Sequence, residues 1–397
     1  MTSTLLPEER VERLSTASTR RVLEPEELFD WDSMGDGQII ADELLSTHGL
    51  GLDLDLTSEQ KATLSREEVA SMLTIGIHFE AALMAGFSLQ ITEADDLADP
   101  RITYMLHEMG EETRHSRAFV RLVEKLAPTG DDPLRKGVIG WGTDRMMRLT
   151  IGSPSVLYTF VLAGEEIPDL LQKRAAEHPD TDPLLAAVNR YHRQEEARHL
   201  AFARMHLPEL WERAGKVERW RVLHGAPAGI SQLFAAFVHP GVYSAVGLPA
   251  MKTWRAVNKL PQRRALRYAA TRGVLDALMD GGIIQRGEVP NGWQKLCGVD
   301  ADGYPHPDAP VLARVARGPA ELEAYSPNYI GGDIAGGASD GFQLLFRPRF
   351  GLHPYATPDP RIWLCSSSTP PGGAVHGACG HEAAKAVLAA QAKKKAS

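Results

Sequence analysis

The chain has 397 residues, of which 43% are hydrophobic and 24% charged, the balance of a globular protein. A formal charge of −8 argues against a nucleic-acid binder, which carries a basic face. Three cysteines, Cys297, Cys365 and Cys379, are too few and too scattered for a disulfide framework or a thiolate zinc site. No run of about 18 uncharged apolar residues stands out as a membrane span. The first twenty residues lack the apolar centre of a signal peptide. The expectation is a cytoplasmic protein with reduced thiols that engages neither nucleic acid nor membrane.

Residues 1–60 read as an irregular or helical extension. Within it, Asp32 to Glu43 half-matches a calcium loop, but Met34 occupies a ligand position and cannot coordinate calcium, so a turn leading to a helix is expected. From about Glu67 the apolar residues recur at three and four, the helical period. This predicts helices over 67–91, 101–127, 132–150, 154–178, 182–206 and 217–237. Their limits come from Asp99-Pro100, Pro128 to Gly130, Gly152 to Pro154, Pro179 to Pro183, and Pro208. Pro154 and Pro183 suit first helical turns, and Pro168 predicts a kink inside its helix. Helical material continues to about Met279. After Gly281 the chain turns dense in Gly and Pro, with short apolar runs and a last helix at about His381 to Ala392. The expected plan is mainly α: an extension (1–60), a ferritin-like helical bundle (61–290) and a Gly/Pro-rich α+β appendage (291–397).

The helical region repeats itself. Glu111-Glu112-Thr113-Arg114-His115 returns as Glu195-Glu196-Ala197-Arg198-His199. Each copy is Glu-x-x-His, which puts a carboxylate and an imidazole on one helical face. Two such helices, each joined by a Glu from another helix, make the dinuclear site of four-helix bundles. Glu80 lies 32 residues before Glu112, in an otherwise apolar stretch. Glu165 lies 31 before Glu196. Glu166 competes with Glu165, which is preferred because it shares a face with Tyr158, Val161 and Leu162. His192 adds a seventh donor: Glu196 and His199 follow it at four and seven, within about 60° of arc. Its counterpart in the first copy is Glu108, expected to lie behind the ligands. Arg114 and Arg198 either support ligand carboxylates or form surface ion pairs. Glu111 and Glu195 are expected to be solvated or to cap. Carboxylates and imidazoles without thiolate suit iron or manganese. Spacing alone does not separate oxygenase, ferroxidase, catalase and radical generator. A pocket between the helices is expected near Leu83, Phe160 and Leu200.

Residues from about 25 to 280 resemble the di-iron p-aminobenzoate N-oxygenase family. The resemblance rests on Trp31-Asp32, Asp42 to Leu45, Leu56 to Gln60, Leu64 to Glu68, Phe79-Glu80, Glu112 to His115 and His192 to His199. It implies two irons held by four glutamates and three histidines: Glu80, Glu112, His115, Glu165, His192, Glu196 and His199. It also implies dioxygen as co-substrate and oxidation of aryl amines to hydroxylamines and nitro groups. No catalytic group beyond the metal ligands is expected. The partners are a small-molecule substrate and an external electron donor, a reductase or flavoprotein; a homodimer is compatible. The alternatives are another di-metal enzyme (hydroxylase, desaturase or manganese catalase) and an iron-binding ferritin-like protein without enzymatic activity.

The tail resembles a different family. Tyr329 to Asp333, Phe346-Arg347-Pro348, Tyr355 to Pro358 and Leu364 to Gly380 are similar to the last hundred residues of phytoene-dehydrogenase-like FAD oxidoreductases. Those enzymes need a Gly-x-Gly-x-x-Gly turn for the pyrophosphate, and the chain contains none. FAD binding is therefore not expected, and the tail reads as a remnant of a fusion or a docking piece for a partner flavoprotein.

Overall fold

Polar caps set the helix starts. Thr57 accepts from the Gln60 backbone while the Gln60 side chain accepts from the Thr57 N–H, a reciprocal cap that starts a helix nine residues before the apolar period suggests. Asp99 and Asp182 cap two further helices, each followed by a proline in the first turn. A computed structural model of the chain describes residues 7–20, 22–50, 55–310 and 378–396, with Ala324 and short pieces between 355 and 369. It divides into two compact units, Met1–Leu312 and Ala313–Ser397.

In the first unit the helices are α1 (Pro7–Arg20), α2 (Ser58–Thr92), α3 (Pro100–Leu126), α4 (Gly137–Ile151), α5 (Pro154–Glu177) and α6 (Pro183–Arg213). The hairpins α2–α3 and α5–α6 pack together as a ferritin-like four-helix bundle, with α4 as the crossover. Beyond α6 a helical run, Lys216–Trp220, Arg221–Gly225 and Ala226–Ala236, contains a π turn. Then α7 (Pro261–Asp280) packs on α5. No strand occurs among the described residues beyond two isolated bridges.

Pro208 does not end its helix. It lies inside α6, and Leu207 beside it is buried, so packing outweighs the one lost backbone bond. The boundary expected at residue 291 also moves. Helix α8 (Asn291–Cys297) buries Trp293 fully, and the indole donates to the Val222 carbonyl at 3.2 Å. Residues 291–300 thus belong to the helical core. The calcium-like segment disperses its acids: Asp32 pairs with Lys125 at 3.2 Å, Asp42 with Lys61, and Glu43 with His178 at 2.7 Å. Among the described residues α2 is long and apolar enough to cross a membrane by length and composition, but here it packs against α3 and α5. In the second unit a helix, α9, covers Ala378–Ala396, and Ala356 bridges to Trp363. The segments Tyr329 to Asp333 and Phe346 to Pro348, and most of Leu364 to Gly380, lie outside the described residues.

The core of the bundle has two apolar parts. One gathers Leu83, Phe87, Tyr104, Met105, Tyr158 and Phe202; the other gathers Leu64, Leu73, Phe119, Leu122, Leu184 and Val188. Each of α2, α3 and α6 runs from one part to the other, and Glu80, Glu112 and Glu196 fall between. The helices close tightly here. A Cβ on Gly164 would stand 2.0 Å from the Phe79 ring, which locks α5 against α2 beside Glu80 and Glu165. Alanine in a helix is favoured over glycine by about 1 kcal/mol, but overpacking of this kind costs about 1–3 kcal/mol. Gly164→Ala is therefore expected to lower the melting temperature, and Gly142→Ala, where nothing lies within 4 Å, to raise it slightly. Thermal unfolding of the two variants checks this.

Candidate metal centre

Four helices bring seven donors into one buried layer. Glu80 comes from α2, Glu112 and His115 from α3, Glu165 from α5, and His192, Glu196 and His199 from α6. They form two groups able to hold a metal ion, Glu80 with His115 and His192, and Glu112 with Glu165, Glu196 and His199; in each, ligand atoms lie within 4.8 Å of one another. Two of the glutamates span the groups. Glu112 places Oε2 at 3.1 Å from His115 Nδ1 and Oε1 at 3.0 Å from His199 Nδ1. Glu196 places Oε1 at 3.2 Å from His115 Nδ1 and Oε2 at 2.9 Å from His199 Nδ1. His192 Nε2 approaches Glu196 at 3.2 Å and Glu80 at 3.6 Å. All seven residues singled out in the sequence meet here.

The residues fit a cation pair. Glu112 Oε1 and Glu196 Oε1 are buried and have no hydrogen bond, although imidazole nitrogens stand within 3.2 Å. Two donors about 2.1 Å from one ion at right angles lie about 3.0 Å apart, so these short contacts suit shared coordination. Four buried carboxylates also need positive charge. Burial raises the Glu165 pKa well above its ordinary range, and the nearby Glu196 adds to this. At His115 burial opposes the charged form, but Glu112, Glu195 and Glu196 more than offset it and hold the pKa well above normal. His199 behaves alike, raised by Glu196, Glu108 and Glu112 against its burial.

The glutamate before each motif has a different place from the one expected. Glu111 and Glu195 are buried, not solvated. His199 Nε2 donates to Glu111 at 2.8 Å, and His115 Nε2 donates to Glu195 at 3.0 Å. Each helix therefore holds the other helix's histidine, and each Nδ1 is turned into the layer. Arg198 donates to Glu111 at 2.8 Å and lies 3.5 Å from Glu195, as does Arg114. The arginines thus support the carboxylates that orient the imidazoles. The duplicated leading Glu was the signal for this. Gln172, one helix away, had no such signal; its Oε1 accepts from His192 Nδ1 at 2.9 Å. Ser116 donates to Glu80. Glu166 points away and pairs with Arg204. Glu108 lies one turn before Glu112, fully buried with neither oxygen bonded, and burial pushes its pKa up to about 8.

A cavity borders the layer at Glu80, Glu165 and His192. It is lined by Met72, Phe79, Phe119 and Leu171, not by Leu83, Phe160 or Leu200 as expected. Those three pack into the apolar core, Leu83 fully buried, on the other side of the layer.

The description p-aminobenzoate N-oxygenase AurF matches residues 7–282. The chain belongs to this family. Its members are di-iron oxygenases, and the buried histidine and glutamate groups agree with such a centre. The chain is also 28% identical over 239 residues, 58% of its length, to uncharacterized protein MT0908 of Mycobacterium tuberculosis (strain CDC 1551 / Oshkosh), covering 69% of that protein. The same identity and coverage hold for uncharacterized protein Mb0909 of Mycobacterium bovis and uncharacterized protein Rv0885 of Mycobacterium tuberculosis (strain H37Rv).

Two outcomes are expected. Glu195→Ala and Glu111→Ala keep all seven donors but free the imidazoles, so metal affinity falls by about 10–100-fold in a chelator competition. The raised histidine pKa values mean that protons stabilise the metal-free layer, an effect lost as pH rises through those values. Metal must displace these protons, so Co(II) binding releases protons and tightens between about pH 6 and 8. Calorimetry in buffers of different ionisation enthalpy checks the sign.

Proposed function

We propose that this AurF-family chain is a non-haem di-iron oxygenase that uses dioxygen to oxidise a small organic substrate, with N-oxygenation of an aryl amine as its reaction. The observation that carries the reading is the pair of spanning glutamates, Glu112 and Glu196, each facing both His115 and His199. Glu80, His115 and His192 would hold one iron, and Glu165 and His199 the other, with Glu112 and Glu196 across both. When bound, a di-ferrous pair supplies two electrons to dioxygen.

The protein's own residues do the rest. Glu111 and Glu195 keep the Nε2 protons of His199 and His115, which leaves both Nδ1 lone pairs for metal. Gln172 fixes His192 the same way, presenting Nε2. This third imidazole makes one side richer in nitrogen than the other. The apolar walls of the cavity keep bulk water from the reacting atoms. Oxidising an amine to a hydroxylamine takes up one oxygen atom of O₂, and the second leaves as water with two electrons and two protons. Those electrons come from an external reductase or flavoprotein.

Elemental analysis of Fe(II)-loaded protein is expected to give about two irons per chain, and the reduced protein to consume dioxygen faster when an aryl amine is added. At most one iron, or uptake indifferent to every amine, overturns the reading. His192→Ala is expected to weaken one of the two irons and cut amine oxidation by at least about tenfold, while Glu166→Ala leaves both unchanged. Metal retained by Glu165→Ala and lost by Glu166→Ala would reverse the assignment on α5.

A further inference from the structure

A second pocket is lined by none of the seven donors. It lies between the helices Ala226–Ala236 and Ala250–Val257 and the start of α7. Its volume is about 180 Å³. An ordered water needs roughly 10–15 Å³ of such space, so there is room for on the order of ten waters. That suits a small molecule and not a segment of a partner protein.

Three guanidiniums line the pocket, Arg263, Arg264 and Arg267, and no carboxylate does. In a chain of net charge −8 this is a local inversion of sign. All three stand in the first two turns of α7, which begins at Pro261 with no side-chain cap and no acid in its first turn. The helix dipole disfavours cations there and favours an anion. Arg263 is only 8% exposed and donates to the Phe234 carbonyl at 3.3 Å. Arg267, half-buried, donates to the Lys295 carbonyl at 3.2 Å. In each, Nε is buried without a hydrogen bond, so the protein alone leaves both guanidiniums under-satisfied. Arg264 is exposed, and its side chain has no hydrogen bond or ion pair among the described residues. Arg263 also borders the cavity beside the metal layer. The acid that favours its charge from there, Glu68, is engaged through both oxygens by the Ser46 backbone N–H at 2.9 and 3.1 Å.

The planar forks of arginine match oxyanions, and a group with two charges balances three cations better than a single carboxylate does. Ser231 and Asn258 add neutral donors. Asn258 spends one Nδ2 hydrogen on the Trp254 carbonyl at 2.9 Å and keeps the other. The Trp254 indole N–H is taken by the Ala235 carbonyl at 3.1 Å, so its ring offers the pocket an apolar surface.

We propose that this pocket binds a small phosphate monoester, its dianionic head held by Arg263, Arg264 and Arg267 and its organic part against Trp254. The ligand is distinct from the molecule oxidised at the metals, and the inference does not rest on the di-iron reading.

The test is calorimetric titration of the full chain at constant ionic strength, metal-free and Fe(II)-loaded under argon, with phenyl phosphate, inorganic phosphate and benzoate. Phenyl phosphate is expected to bind at least about tenfold more tightly than benzoate, and more tightly than inorganic phosphate, equally well with and without iron. Its affinity should rise as pH passes about 6, where a monoester loses its second proton. Arg264→Gln, at an exposed position that the fold does not need, should weaken phenyl phosphate by about tenfold or more, and Arg267→Gln likewise. Equal binding of phenyl phosphate and benzoate overturns the proposal, as does an affinity unmoved in both variants. Inorganic phosphate binding as tightly as the ester removes the role of Trp254 and with it the monoester. Binding seen only in the iron-loaded chain places the phosphate on the metals and also overturns the proposal.

Discussion

Everything in this bundle turns on keeping four carboxylates and three imidazoles in a layer without water. Burial alone would drive the glutamates to their neutral forms, and Glu165 shows this pressure. The layer persists because each charge has a counterpart. Carboxylates face imidazoles at close to 3 Å, and the unmatched oxygens of Glu112 and Glu196 face where cations fit. Apolar packing above and below then serves as a seal, since it denies the layer the solvent that would screen it.

The hairpins are locked by exchange. His115 of α3 is held by Glu195 of α6, and His199 of α6 by Glu111 of α3. Neither helix can shift by a turn without unmaking both bonds. Arg114 and Arg198, themselves mostly buried, extend the exchange outward, so the carboxylates that hold the imidazoles are in turn held by guanidiniums. Asymmetry enters only where the repeat fails. His192 stands in the layer where the first copy has Glu108, and Glu108 is left buried behind His199 without a bonded partner. One group is thereby richer in nitrogen, and the cavity touches it at Glu80 and His192 and the other group at Glu165.

The helical order, the two Glu-x-x-His turns and the seven residues that meet in the layer are legible in the sequence. These depend on spacing along one helix and on breakers such as Asp99-Pro100, and both are local. It also carried the choice of Glu165 over Glu166, since a step of one residue turns a side chain by about 100°. How the two copies face each other is set by the packing of α3 against α6. Glu111 and Glu195 look like surface residues within their own helices and become buried partners only when α3 meets α6. The same holds for Gln172, for Arg263 at the end of the cavity, and for Trp293, hidden in a Gly/Pro-rich stretch whose composition suggested a new region. The side of the layer that holds the cavity was likewise undetermined, because helical phase shows which residues point inward and not where facing helices leave a gap. Spacing within a helix fixes direction; distance between helices is set by packing, which no single segment encodes.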